Sequence, residues 1–188
     1  RASEKAILAG RCIDRPIRPL FPKDMRNDCA VVATVMSVDP DCSPEITAAI
    51  GVSAAIAVSD IPWDGPIAST SVGLIDGEII INPTLEQRAA TELNLTVSST
   101  ADLVAMIEAG GNEIPDDLMF DCIMAGHEVN KEVVKFINGI VAEIGKPKFE
   151  FQSNDPDPVI FQEIEDMVYA DVQKALDTDD KLVRDAAL

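Results

Sequence analysis

"STSVGLIDGEIIINPT" (residues 69–84) decides how the rest of the chain is read. Asp76-Gly77 separates two apolar, β-branched runs, and an Asp-Gly pair suits the positive φ of a type I′ turn. The stretch predicts a β-hairpin. Downstream, "LNLTVSST" and "LVAMIEAG" read as two more strands joined near Thr100-Ala101-Asp102. Upstream, "AVVATVMSVD" (residues 30–39) reads as a buried strand. "SPEITAAIGVSAAIAVS" then reads as a helix with Ser43 as N-cap, Pro44 at the first helical position and Glu45 near the positive end. Ala, Ile and Val occupy all its sides, which predicts burial between layers. The prolines and glycine of "DIPWDGP" (residues 60–66) mark a loop.

Helices frame this middle section. Ser3 is the expected N-cap of a helix from Glu4 to about Asp14, which Pro16 should kink or end. A helical pattern from Pro115 to Ile144 puts Leu118, Cys122, Ile123, Val129, Val133, Phe136, Ile140 and Ile144 on one stripe, with Gly145 as its stop. "KPKFEFQSNDPDP" (residues 146–158) reads as a linker, and Val159 to Leu188 as helix again. The predicted class is α+β, a mixed sheet packed with helices, followed by an all-α segment. At 188 residues and 47% apolar, the chain is large enough for one cored domain and part of another.

Charge is distributed unevenly. The formal net charge is −18. Yet Arg1, Lys5, Arg11, Arg15, Arg18, Lys23 and Arg26 face only Glu4, Asp14 and Asp24, so residues 1–26 are +4 and the remainder is −22. Residues 27–87 contain no Lys or Arg at all. Such asymmetry fits either a polyanion-binding element or a solvated helix with paired charges. No apolar run reaches the roughly 20 residues that span a bilayer. The four cysteines form no C-x-x-C pair, and the first residues are charged rather than signal-like. Both features predict reduced thiols in a cytoplasmic, non-membrane protein. A start at Arg1 without methionine is read as a fragment.

Several kinds of chemistry are missing. The sequence has no G-x-G-x-x-G and no G-x-x-x-x-G-K-[ST]. His127-Glu128 lacks the second histidine of a zinc helix, so His127 reads as a helix-surface or buried hydrogen-bonding residue. Gly51-Val52-Ser53 lies in an apolar helix and lacks the last glycine of a nucleophile elbow. Asp155/Asp157 and Asp177/Asp179/Asp180 lack the glycine and closing glutamate of a calcium loop. No catalytic set and no metal site can be read in this chain.

"RCIDRPIRPLFP" (residues 11–22) holds the strongest functional signal. Arg11, Arg15 and Arg18 stand at i, i+4 and i+7, which on a continuous helix is one face. Convergent guanidiniums suit phosphate oxygens. Structural pairing with Asp14, Asp24 or Asp28, or stapling of an interface, is the competing reading.

"RASEKAILAGRCIDRPIRPLFP" closely resembles a signature of the bacterial polynucleotide phosphorylase family, in its first ribonuclease PH-like core. "VMSVDPDCSPEITAAIGVSAAIAVSDIPWDGPI", "VGLIDGEIIINPT", "MIEAGGNEIPDDLMFDCIMAGHEVNK" and "IVAEIGKPKF" resemble later segments of that core in the right order. The resemblance implies a ribosomal protein S5 domain 2-like fold, incomplete at its N-terminal side. It assigns residues 1–145 to the later part of the first core, 146–158 to a linker and 159–188 to the start of a helical domain.

By the same resemblance, the family enzyme is a homotrimeric ring that degrades RNA from the 3′ end. It uses inorganic phosphate to release nucleoside diphosphates, runs in reverse to polymerise RNA, and acts in mRNA degradation beside other RNA-degradation proteins. Its magnesium ligands belong to a second core, so neither metal nor cofactor is expected in this chain, which alone should be inactive. Arg11 and Arg15 match the arginines that face phosphate or the RNA backbone. Arg18 fits the same motif, facing either the site or a structural ion pair. Many relatives carry a basic residue where Ser71 precedes Val72-Gly73. The alternative function is a non-catalytic RNA-binding or scaffold subunit of a ribonuclease PH-like ring.

Overall fold

The structure, a computed structural model, describes residues 3–188; Arg1, counted in the basic segment, lies outside them. The chain divides into two units, the first ending at Phe151 and the second covering Gln152–Leu188.

The first unit is built on the hairpin. Strand β1 (Ala68–Ile75) turns into β2 (Glu78–Ile81) through Asp76 at φ 52° and Gly77 at φ 80°, the double positive φ of a type I′ turn. Strands β3 (Leu93–Ser99) and β4 (Val104–Gly111) complete a sheet of order β2-β1-β3-β4. Every pairing is antiparallel, with Thr70 opposite Val97 and Thr96 opposite Glu108. The α+β class stands, but the expected mixture of parallel and antiparallel pairs is absent among the described residues. For two of the three pairings the reason is connection length: parallel neighbours need a crossover of a dozen or more residues, whereas β1–β2 and β3–β4 are joined by short turns.

Residues 30–39 do not form the expected strand; they run as an unpaired strip with Val32 87% and Met36 88% exposed. β-Branched composition describes a fit to a pleated surface, and a strand exists only where an edge accepts its backbone. The strip ends where Leu85 N–H donates to Asp41 Oδ1 at 2.9 Å and Arg88 donates to the Pro40 carbonyl.

The helices follow their caps. Helix α1 (Glu4–Ile17) starts at Ser3, whose hydroxyl accepts from Ala6 N–H. It continues through Pro16 instead of ending at Asp14, because Arg18 N–H still reaches the Asp14 carbonyl; a 3-10 turn, Arg18–Leu20, follows. Helix α2 (Pro44–Val58) buries Ala49, Val52, Ser53, Ile56 and Ala57, but Thr47, Gly51 and Ala55 are exposed, so it is not enclosed on all sides as expected. Helix α3 (Leu85–Ala90) was not foreseen, although Thr84 and Gln87 form a reciprocal capping box.

Helix α4 (Asp116–Ile144) lies across β1 and β3. Its buried seam is Cys122, Gly126, His127, Asn130, Val134 and Ile137, while Phe136 and Ile144 of the expected stripe are 67% and 66% exposed. The seam accommodates the polar Asn130 because its hydrogen bonds are satisfied inside. Asn130 accepts from Thr70 Oγ1 at 2.7 Å and donates to the Val97 carbonyl and Ser99 Oγ, both at 3.0 Å. Gly126 lets the helix approach the sheet; a Cβ there would stand 3.0 Å from methyls of Val72 and Val97. Beyond α4, Lys146 N–H donates to the Val58 carbonyl and Phe149 N–H to that of Asp60. Lys148 Nζ donates to the Ala57 and Ser59 carbonyls at 2.9 and 2.7 Å, a cation at the negative end of α2.

The second unit holds α5 (Pro158–Leu176), capped by Asp157, and α6 (Lys181–Ala187), capped by Asp180. The expected helical stretch to Leu188 comprises two helices, the second started by the Asp180 carboxylate, which accepts from Leu182 and Val183 N–H. Among the described residues no helix is long and apolar enough to cross a membrane.

Candidate functional site

The basic helix α1 is seated by its inner face. Ile13, Ile17, Leu20 and Phe21 pack with Val52, Ile56, Trp63, Ile67 and Ile137. Trp63 Nε1–H donates to the Ile17 carbonyl at 3.1 Å and Asp64 N–H to that of Leu20 at 2.9 Å. These bonds satisfy carbonyls that a helix end leaves without partners. Arg11, Arg15 and Arg18 are all exposed on the opposite side.

The three arginines differ in what holds them. Arg18 is taken by its own helix: Nε and Nη2 donate to the Asp14 carboxylate at 2.7–3.1 Å, an i, i+4 pair. Arg15 Nη1 lies 3.9 Å from Glu108 Oε2 on β4, with the two side chains 59% and 53% exposed. Arg11 has no hydrogen-bond or ion-pair partner among the described residues. The structure thus keeps Arg11 and Arg15 on one open helical face and pairs Arg18 with Asp14 in an equally exposed contact. Exposed pairs of this kind contribute about 0–1 kcal/mol, so neither arginine is consumed in stabilising the fold. The place of Arg15 in the last turn of α1 also favours positive charge.

Glu108, which carries no motif, enters here from 96 residues away. Its Oε2 accepts from Cys12 Sγ at 3.1 Å as well as facing Arg15. Burial, then the hydrogen bond to Glu108 and its negative charge, push the Cys12 thiol pKa up, and the nearby Arg15 only partly offsets this. Cys12 is therefore a neutral hydrogen-bond donor and not an activated nucleophile. Glu45 anchors the other end of α1. Partial burial opposes its charge, but hydrogen bonds from Ser43 and backbone N–H together with Lys5 at 3.6 Å leave its pKa below the ordinary carboxylate value.

His127 is buried, with Nδ1 lacking a partner among the described residues; it is remote in sequence from the arginines. Ser71 pairs with Asn82 through backbone and side chain. Among the described residues no three His, Cys, Asp or Glu side chains are grouped to hold a metal. What the surface offers chemically is anion binding: guanidiniums that stay protonated and donate, with the Asp14 and Glu108 carboxylates beside them engaged as their ion-pair partners.

Comparison with known proteins agrees with this reading of the fold. Residues 1–62 match domain 1 of the 3′ exoribonuclease family and residues 65–129 match its domain 2. The polyribonucleotide nucleotidyltransferase of Lachnoclostridium phytofermentans is 54% identical over 186 residues, 98% of this chain and 27% of that protein. That of Geobacillus kaustophilus is 48% identical over 188 residues, 100% of this chain and 26% of that protein. The chain thus spans about a quarter of the length of the curated relatives it matches. Rice (Oryza sativa) Rrp46 superposes with a TM-score of 0.58 at 14% identity, covering 75% of this chain and 67% of that one. That likeness concerns the fold alone. With two consecutive domain matches across most of the first unit, and near full-length similarity to polyribonucleotide nucleotidyltransferases, the chain belongs to the 3′ exoribonuclease family.

Proposed function

We propose that this chain is part of a phosphate-dependent 3′→5′ exoribonuclease that releases nucleoside diphosphates, and that Arg11 and Arg15 contact RNA backbone or phosphate. The observation that carries the site assignment is the open pair itself. Arg11 has no partner among the described residues and Arg15 has only a 3.9 Å neighbour, while the adjacent Arg18 is hydrogen-bonded to Asp14. In phosphorolysis an inorganic phosphate attacks the terminal phosphodiester and negative charge spreads over the transferring group. Positioning and electrostatic stabilisation then supply most of the catalysis. Arg11 and Arg15 act as fixed cations in that scheme, and their contacts are salt-sensitive and sequence-independent.

Magnesium and inorganic phosphate belong to the proposed reaction, with metal ligands in a second core rather than in this chain. A homotrimeric ring, a cytoplasmic setting, a role in mRNA degradation and association with other RNA-degradation proteins complete the proposal. The names of the relatives favour an enzyme over a non-catalytic scaffold subunit.

The test is Arg11→Ala with Arg15→Ala in a full-length enzyme carrying this segment. Charge-assisted hydrogen bonds contribute about 1.5–3 kcal/mol each, so phosphorolysis should fall about a hundredfold or more. Normal turnover with unchanged RNA affinity would overturn the assignment. The isolated chain, given a 3′-hydroxyl oligoribonucleotide, magnesium and phosphate, should release no nucleoside diphosphate.

A further inference from the structure

The arginine face of α1 touches another element of the fold at one acidic side chain, Glu108. Asp14, the partner of Arg18, moves with its own helix, whereas Glu108 is fixed to β4, in register with Thr96 of a buried neighbouring strand. Its Oε2 accepts from Cys12 Sγ at 3.1 Å and stands 3.9 Å from Arg15 Nη1.

We propose that Glu108 is a positioning residue for the anion clamp: it orients the Arg15 guanidinium against the sheet before RNA arrives, and opposes the incoming phosphodiester by its own charge. The proposal rests on the reading of Arg11 and Arg15 as RNA contacts and deepens it. At 3.9 Å the pair is an ionic contact longer than a hydrogen bond, so the arginine donors stay free to engage phosphate oxygens. Both side chains are more than half exposed, which keeps the guanidinium reachable and makes the pair a poor staple. The Cys12 thiol, a neutral donor, holds the carboxylate from the helix side and so aims it at the next turn.

A carboxylate that orients an arginine and also repels its ligand leaves a distinctive kinetic signature. Removing the charge strengthens ground-state binding and weakens the oriented contact that turnover needs, so KM and kcat fall together. Glu108→Gln is the chosen variant, because its amide oxygen still accepts from Cys12. In a full-length enzyme carrying this segment, half-saturating RNA should fall about two- to fivefold, the range expected from one exposed charge pair. The maximal phosphorolysis rate should fall at least about threefold, with the melting temperature unchanged within about 2 °C.

The decisive arm repeats Glu108→Gln in an Arg15→Ala background, where the fall in rate should disappear because the orientation acts through Arg15, while the tighter half-saturation, which comes from the carboxylate's own repulsion, should remain. If Glu108→Gln changes neither parameter, weakens RNA binding, or lowers the maximal rate equally without Arg15, the positioning role is overturned. If Arg15→Ala alone alters neither RNA affinity nor turnover, the clamp reading itself has failed, and the positioning role with it.

Discussion

Asn130 provides the sharpest test of how helix α4 is held to the sheet. It is fully buried and makes three side-chain hydrogen bonds, to Thr70 Oγ1, the Val97 carbonyl and Ser99 Oγ. Asn130→Ala removes all three, at about 1 kcal/mol each, and leaves the Thr70 hydroxyl donor buried without its acceptor for roughly 1 kcal/mol more. The expected loss is about 3–4 kcal/mol, or about 10 °C in Tm for a chain of this size.

The assay is urea unfolding followed by tryptophan fluorescence. Trp63 is the only tryptophan and is 8% exposed, so its emission reports the first unit alone. Thr70→Val, which removes one bond of the three, should cost about 1 kcal/mol. The double variant should cost clearly less than the sum, since the two residues share a bond. A loss below about 1 kcal/mol for Asn130→Ala, or simple additivity with Thr70→Val, would refute the claim that this network pins the helix.

Other expectations follow from single contacts. Gly126→Ala places a methyl 3.0 Å from Val72 and Val97 side chains, and should destabilise the first unit by about 1–3 kcal/mol in the same assay. Lys148→Ala removes the cation from the end of α2, with an expected cost of about 1 kcal/mol by denaturant titration. Glu45 has a folded pKa lowered from 4.5. Its contribution is therefore present above that unfolded value and lost as pH falls through the folded one, so Glu45→Gln should flatten the acid-side fall in stability below about pH 4.5. Burial raises the pKa of Cys12 and Cys122, whereas Cys29 and Cys42 are exposed. Alkylation at pH 8 followed by mass mapping should label the exposed pair first.

What could be read in advance was local. Asp76-Gly77 announces its turn because the two positive φ values are a property of those residues, and Ser3, Ser43 and Pro44 announce helix starts for the same reason. Two local signals went unread: Thr84 with Gln87, which start α3, and Asp180, which starts α6. The strip at residues 30–39 shows the opposite failure, since its apolar letters are correct for a strand and only pairing is lacking. On α4 the buried seam passed through Asn130, which no hydrophobic period would select, because its acceptability depends on Thr70, Val97 and Ser99 across the interface. The arginines were legible as a spacing, but the pairing of Arg18 with Asp14 shows only in the folded helix. Glu108 was invisible because its relation to Cys12 and Arg15 exists only after β4 has folded against α1.

The unpaired strip also bears on how the arginine helix could be handled as a separate piece. Residues 27–87 contain neither lysine nor arginine, so trypsin has no site along the exposed run, while an elastase meets its valines and alanines there. Helix α1 does not depend on that run for its seat, because Trp63, Asp64 and Glu108 grip it sideways and Ile13 and Ile17 are sunk among core side chains. A nick between residues 30 and 38 should therefore yield two peptides that stay together through gel filtration and separate only in denaturant. The segment bearing Arg11 and Arg15 becomes exchangeable: a synthetic counterpart with altered guanidinium chemistry could be docked into the remaining scaffold as a complementing half.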